Sequence, residues 1–149
     1  MKQPILKKSE GFTIIEVLIV LAIAGLIMLI VFLAVPALQR TSKNNQRRSD
    51  ARHLAGLVNE HMSNNNGKIP TGIGTAAGQL DLTGENFSSM NPPTNITSGT
   101  GTLGTTDQLQ INTGTTCVNN TVTAGGGSRS FSISFQVAKN GGGVFNQCV

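Results

Sequence analysis

The first residue whose type and position suggest chemistry is Glu16, which lies near the start of a long apolar run. No other charged residue follows it until Arg40. An unpaired charge at the centre of a membrane costs about 2.5 to 3.5 kcal/mol, and less near the membrane edge. The sequence therefore predicts that Glu16 has a partner, and the alternative is a carboxylate tolerated at the membrane edge without one.

The other titratable residues do not form a catalytic pattern. His53 and His61 lie eight residues apart, and neither has a nearby Cys or Ser in a recognisable motif. Asp81, Glu85 and Asn86 could supply oxygen atoms to calcium, but a calcium ion usually takes about six or more oxygen ligands. The sequence predicts no catalytic residue, no metal site and no cofactor, and hence a protein that is not an enzyme.

The segment that carries Glu16 has the length and composition of a membrane span. Residues 17–35 contain no charged side chain and would extend about 28 Å as an α-helix, and residues 12–16 would add about 7 Å. Gly25 and Pro36 are its weak points, because Gly is a poor helix former and Pro removes a backbone donor. Residues 12–36 are predicted to be a hydrophobic transmembrane helix.

Residues 37–63 are predicted to continue this helix as an amphipathic segment. An apolar stripe at helical spacing consists of Ala51, Leu54, Ala55, Leu57, Val58 and Met62. Asp50 and a basic cluster between Arg40 and Arg52 are placed largely on the other faces. The cluster is interpreted as a solvated face that pairs with neighbouring copies, since no aromatic residues are interleaved. Nucleic acid and anionic lipid head groups stay open as alternative partners.

The remainder, residues 64–149, is predicted to form one small globular head. Residues 64–106 are rich in Gly, Thr, Ser, Asn and Pro and are predicted to be loop. Residues 107–149 carry strand signals, including a half-buried strand at 131–137 and a turn at 140–143. The predicted fold class is α+β, with a long N-terminal helix packed by a small C-terminal antiparallel sheet of three or four strands.

The N-terminal motif resembles that of the type IV pilin family, whose close relatives are the pseudopilins. The likeness is carried by a short basic leader ending in Gly11, by Phe12, by Glu16 four residues further on, and by the unbroken apolar helix. The resemblance implies the pilin fold and cleavage of the leader, residues 1–11, between Gly11 and Phe12 by a prepilin peptidase. It also implies N-methylation of Phe12 and assembly into a helical filament.

The cleaved motif would supply the partner that Glu16 requires. The nearest cation is the new amine of Phe12. Glu16 follows Phe12 by only four residues, and both residues point the same way along one helix, so the amine that pairs with Glu16 is expected on a neighbouring subunit. The family's usual proline would fall at Leu33, three residues before Pro36. A local unwinding between Gly25 and Pro36 is expected when the filament assembles.

The two cysteines bear on where the head resides. Cys117 and Cys148 are the only cysteines, and neither belongs to a CxxC pair. In an exported head, a disulfide between them is favoured over two buried thiols or a metal site. Closing a loop of about 32 residues would contribute roughly 3.5 to 4 kcal/mol in the chain-entropy model.

The distribution of charge alone would place the head in the cytoplasm. Three lysines precede the span, whereas five basic residues follow it within about 20 residues. The resemblance and the two cysteines favour the opposite orientation. We therefore expect a single-pass precursor in the inner (cytoplasmic) membrane with its head outside, followed by an extracellular pilus. The net charge of +4 includes a net +2 from the leader, so it is not taken as a sign of nucleic-acid binding.

The expected function is that of a structural pilus subunit. Its expected partners are further copies of itself, the prepilin peptidase and methyltransferase, the pilus assembly machinery and membrane lipid before assembly. Adhesion, twitching motility and DNA uptake are the roles that the resemblance implies for such a filament. The alternatives are a pseudopilin of a type II secretion or competence system, a scarce adhesive subunit at the filament tip, and a membrane-anchored binding protein that never polymerises.

Overall fold

The computed structural model describes residues 11–94, 96–100, 103, 107–139 and 143–149. Leader residues 1–10 and most of the turn predicted at 140–143 lie outside the described residues, so those predictions stay predictions. The chain divides into a first unit, Met1–Leu38, and a second unit, Gln39–Val149.

One helix, α1 (Ile14–Asn64), contains both the apolar segment and the amphipathic segment. In the first unit, every described side chain is exposed. The helix contains a stretch that is long and apolar enough to cross a membrane. Pro36 lies inside the helix, as does Gly25. The isolated chain is therefore helical at both positions, and unwinding on assembly stays a prediction.

The helix ends at Asn64, one residue beyond the predicted bound of 63. Asn66 and Gly67 adopt positive φ angles of 54° and 75°. The Gly67 amide donates to the Met62 carbonyl at 2.7 Å, which satisfies one of the carbonyls left unpaired in the last turn.

The second unit contains a four-stranded sheet and a separate two-stranded sheet. In the larger sheet the strand order is β1-β2-β5-β6, and β3 pairs with β4 in the smaller one. The strands are β1 (Ile96–Ser98), β2 (Gln110–Thr113), β3 (Thr115–Val118), β4 (Thr121–Ala124), β5 (Phe131–Ala138) and β6 (Val144–Cys148). The pairs β2–β5, β5–β6 and β3–β4 are antiparallel, whereas β1 pairs with β2 in parallel. The predicted α+β fold with a pilin-like architecture is confirmed, and it differs from the prediction in its parallel edge strand and in the separate two-stranded sheet.

The parallel strand has a topological cause. Parallel neighbours need a crossover connection rather than a tight turn. The chain leaves β1 at Ser98 and returns to β2 at Gln110. The strand β1 itself lies within residues 64–106, the stretch assigned to loop, where no strand was predicted.

The core lies between the amphipathic part of α1 and the larger sheet. Ala51, Leu54 and Val58 are fully buried, as the apolar stripe predicted. The hydrophobic core also contains Leu80 and Met90 from the loop and the strand-region residues Leu109, Ile111, Ile133, Phe135 and Val137. The loop thus contributes apolar residues to the core, which its polar composition concealed.

The strand β5 is buried on both faces rather than half-buried as predicted. Ser132 and Ser134, on the polar face, are 0% and 3% exposed. The Ser132 hydroxyl lies 2.8 Å from that of Thr115, and the Ser134 hydroxyl accepts from the Asn112 amide at 2.9 Å. The alternation of polar and apolar residues correctly showed which residues of β5 share a face. The polar face is nevertheless buried, because the small β3–β4 sheet contacts β5 and covers it.

A disulfide links the two sheets. Cys117 on β3 and Cys148 on β6 are bonded, with an S–S distance of 2.05 Å and a Cα–Cα distance of 5.7 Å. Among the described residues no cysteine is free. The link joins the last strand of the larger sheet to the hairpin that covers it.

Candidate functional site

The N-terminal end of α1 is built around Thr13 and Glu16. The Glu16 carboxylate accepts hydrogen bonds from the Thr13 amide at 2.9 Å and from the Thr13 hydroxyl at 2.7 Å. In return, the Glu16 amide donates to the Thr13 hydroxyl oxygen at 3.4 Å. This reciprocal pattern is a capping box, which satisfies amides left unpaired in the first helical turn.

The capping box gives Glu16 a second role that the sequence analysis missed. The signal was present in the sequence, because Thr-x-x-Glu before an apolar run is a capping-box pattern. Both hydrogen bonds that the Glu16 carboxylate accepts from Thr13 use the same oxygen, Oε2. The cap therefore orients the carboxylate, and the other oxygen, Oε1, takes no part in these two bonds.

Gly11 and Phe12 precede the helix, next to this cap. Phe12 is 90% exposed, and a Cβ atom added at Gly11 would meet nothing within 4 Å. Neither position packs against the described part of the chain. A substitution at Gly11 should thus leave the fold unchanged, and any effect of it would report on what acts on the chain from outside.

The basic cluster on α1 is partly used inside the second unit, which corrects its interpretation as a wholly solvated face. Arg47 donates to the carbonyl of Gln136 at 3.2 Å and also forms an ion pair with Asp107. Arg48 donates to the side chain of Gln147 at 3.1 Å. Arg40, Lys43 and Arg52 are exposed.

Asn44 and Arg47 complete the hydrogen bonding of β5 where its neighbour ends. The last pair between β2 and β5 joins Gln110 to Ser134, and β5 continues to Ala138. The Asn44 side chain donates to the Ala138 carbonyl and accepts from the Ala138 amide, both at 2.9 Å. The helix thus replaces the missing strand, because a buried backbone group without a partner is costly.

Asp50 is 4% exposed, whereas the sequence placed it largely away from the apolar stripe. Its carboxylate accepts hydrogen bonds from the amides of Ser88, Ser89 and Met90 at 3.0, 2.8 and 3.1 Å, and from the Ser89 hydroxyl at 3.2 Å. All four groups are donors, which an ionised carboxylate matches. Asp50 therefore fastens the loop to the helix, and no local sequence signal could have revealed contacts 38 to 40 residues away.

The residues considered for calcium have other contacts. Glu85 pairs with His53 at 3.1 Å, and the His53 ring lies 5.4 Å from that of Phe87. Hydrogen bonds from the Thr83 side chain and backbone hold the pKa of Asp81 below its usual value. Within the part of the chain that the structure describes, no group of three or more His, Cys, Asp or Glu residues could hold a metal ion.

Comparison with known proteins bears on the N-terminal end. The family model described as the prokaryotic N-terminal methylation motif matches residues 6–32, which include Gly11, Phe12, Thr13 and Glu16. No curated protein and no solved structure matched the chain. The match covers the cap and most of the apolar segment but none of the second unit. The resemblance is thus confirmed at this end, where the chain carries the leader signature of type IV prepilins.

Proposed function

We propose that this chain is a structural, non-enzymatic subunit of an extracellular type IV pilus. The observation that carries the proposal is the methylation motif at residues 6–32, which runs directly into a helix apolar enough to cross a membrane. The motif implies processing by a prepilin peptidase and assembly into a pilus. The precursor resides in the inner membrane with its head outside, and cleavage after Gly11 releases it for assembly.

Assembly depends on the apolar helix and on the charge near its start. Every described side chain of the first unit is exposed, including large apolar residues from Phe12 to Leu38. Such a surface requires lipid or other helices around it. In the filament, neighbouring helices cover it, and Glu16 pairs with the methylated amine of Phe12 on an adjacent subunit.

The pairing also explains how subunits keep register. In a packed apolar core, an unpaired carboxylate cannot reach water, so it must be neutralised or paired. A subunit displaced along the axis would leave both the amine and the carboxylate without a partner. The correct register is favoured because it alone satisfies both charges.

The test of leader processing is the mass of the protein recovered from sheared surface filaments. Loss of residues 1–11 and gain of about one methyl group on Phe12 are expected, and Gly11→Leu should leave uncut precursor in the membrane. Gly56→Leu is the matched control and should be cut normally, since it makes the same change at an exposed helix position outside the apolar segment, where a Cβ atom also meets nothing within 4 Å. Filament protein that still begins at Met1 would refute the proposal.

Abundance separates the possible roles within the family. A main pilus subunit should dominate the sheared protein, whereas a tip subunit or a pseudopilin should be scarce. Adhesion, twitching motility and DNA uptake are distinguished by deleting the gene and measuring each activity in the same strain.

A further inference from the structure

One side of the second unit carries a basic surface, which we call the basic flank and define by Arg48, Arg52 and Phe145. Arg48 and Arg52 line a cavity of about 220 Å³ together with Gln147, and no acidic side chain is among its lining residues. Phe145 lies on the same face of β6 as Gln147, two residues away, and is 42% exposed. Arg52 forms no ion pair among the described residues.

A second surface carries the opposite charge, and we call it the acidic flank, defined by Glu60, Asp81 and Glu85. These three residues line a cavity of about 250 Å³ with His61, and neither Lys nor Arg is among its lining residues. Glu60 and Asp81 are exposed and form no ion pair within the described residues. Glu85 lies 3.1 Å from the Nε2 atom of His53.

The two flanks contact different parts of the second unit. Arg48 contacts Gln147 on the edge strand β6, whereas His53 contacts Glu85 in the loop. Arg52 and Glu60 are eight residues apart, which separates them by about 80° around the helix and about 12 Å along it. Each copy therefore presents a positive surface and a negative surface that are about a quarter turn apart around α1 and lie at different heights.

We propose that the basic flank of one copy docks against the acidic flank of the next copy in the filament. Two complementary but different surfaces on one chain make a head-to-tail contact, which generates an open helical array when the rotation between copies does not close a ring. The Arg guanidinium suits this contact, because its planar donors match the geometry of a carboxylate. Phe145 supplies apolar area beside the two charges. This inference rests on the proposed function, since it assigns the contact between heads in the same filament.

Charge complementarity favours a second copy over nucleic acid as the occupant. A nucleic acid would account for the basic flank but would leave the acidic flank without a role. Assembly also holds copies close together, so a contact that is weak between free molecules becomes effective through the raised local concentration.

The test is a charge exchange in the full chain, with filament yield measured by shearing and quantified against the membrane-bound precursor. Arg52→Glu and Glu60→Arg should each lower the yield roughly fivefold or more, because like charges then face each other. Combining the two changes should restore most of the yield, since the pair is re-formed with its signs reversed. Lys43→Glu is the control: it makes the same change of charge at an exposed residue about 180° around the helix from Arg52.

The outcomes distinguish this inference from the proposed function. Absence of filaments from the unaltered chain, or an uncut leader on them, would refute the proposed function itself. Normal yield in both single variants, or no recovery in the double variant, would overturn the docking of the two flanks while leaving the pilus intact. The docking would also be overturned if Arg52→Glu left the filament yield unchanged but weakened the binding of duplex DNA to the filaments. That result would assign the basic flank to nucleic acid.

Discussion

The two units of the chain differ in the distance along the sequence over which their contacts act. In the first unit, Thr13 and Glu16 are three residues apart, and every described side chain is exposed. In the second unit, Asp50 reaches Met90 across 40 residues, and Asn44 reaches Ala138 across 94. The first unit therefore depends on what surrounds it, whereas the second unit supports its own fold.

This difference separates two kinds of substitution. Changes in the first unit should alter assembly while the head stays folded, because no described side chain there is buried. Changes at long-range contacts of the second unit should lower the free energy of unfolding and reduce assembly only as a consequence. Measuring filament yield and head stability on the same variants tests whether the two units are independent in this sense.

The largest effect on filament assembly is expected at Glu16, where charge and helix capping can be separated. Glu16→Gln keeps a capping-box residue but removes the charge, whereas Thr13→Ala removes the cap and keeps the charge. If pairing with the Phe12 amine drives assembly, Glu16→Gln and Glu16→Ala should both reduce filament yield by about tenfold or more, equal to about 1.4 kcal/mol. Thr13→Ala should have a much smaller effect, and membrane insertion should persist in all three.

The opposite result at these positions would change the role of Glu16. Normal yield and normal helical order in Glu16→Gln, with a loss in Thr13→Ala, would make Glu16 a capping residue only. Electron microscopy of the filaments, with the membrane-bound precursor quantified in parallel, distinguishes the two cases.

The disulfide should have the largest effect on the stability of the second unit. Cys117 and Cys148 are 31 residues apart, and loss of a native disulfide from a small secreted domain typically costs about 2 to 5 kcal/mol. Cys148→Ser should give a protease-sensitive head and fewer filaments. Because either single change breaks the same bond, Cys117→Ser and the double variant should be destabilised by similar amounts, measured as urea unfolding of the full chain in detergent. Free thiols in the unreduced protein would contradict the pairing.

Asp50→Ala should come next, with a loss of about 2 to 4 kcal/mol in the free energy of unfolding. The substitution leaves the amides of Ser88, Ser89 and Met90 without their acceptor. A buried donor left unpaired costs about 1 to 3 kcal/mol, and this cost falls on Met90 and partly on Ser89, since the exposed Ser88 can bond to water instead. Ser49→Ala, at the exposed neighbouring position, is the control and should change stability by less than about 0.5 kcal/mol. Hydrogen exchange at residues 88–90 should rise in the Asp50 variant alone, and unchanged exchange there would refute the anchoring role.

The same difference in range explains how much could be predicted from the sequence. Gly11, Phe12 and Glu16 form a motif within six residues, and periodicity alone identified Ala51, Leu54 and Val58 as buried. The local sequence cannot show which distant strand covers a face or which loop amides a carboxylate will accept. For that reason the cover over β5, the burial of Asp50 and the parallel strand β1 were not predicted.

The smallest effect is expected at Asn44, where the sign of the change carries the information. Its side chain makes two hydrogen bonds to Ala138, each worth about 1 kcal/mol in net stability, so their loss costs about 2 kcal/mol. Ala is the better helix former by about 0.7 kcal/mol or less, which offsets part of that loss and leaves Asn44→Ala destabilised by about 1 kcal/mol. The adjacent Asn45 is exposed and has no such bonds among the described residues, so Asn45→Ala should be neutral or slightly stabilising. Equal effects of the two substitutions on urea unfolding of the full chain would show that the helix does not complete the edge of β5. A destabilised Asn44→Ala beside a stabilised Asn45→Ala would show that a polar residue of the helix stabilises the second unit through a partner far away in the sequence.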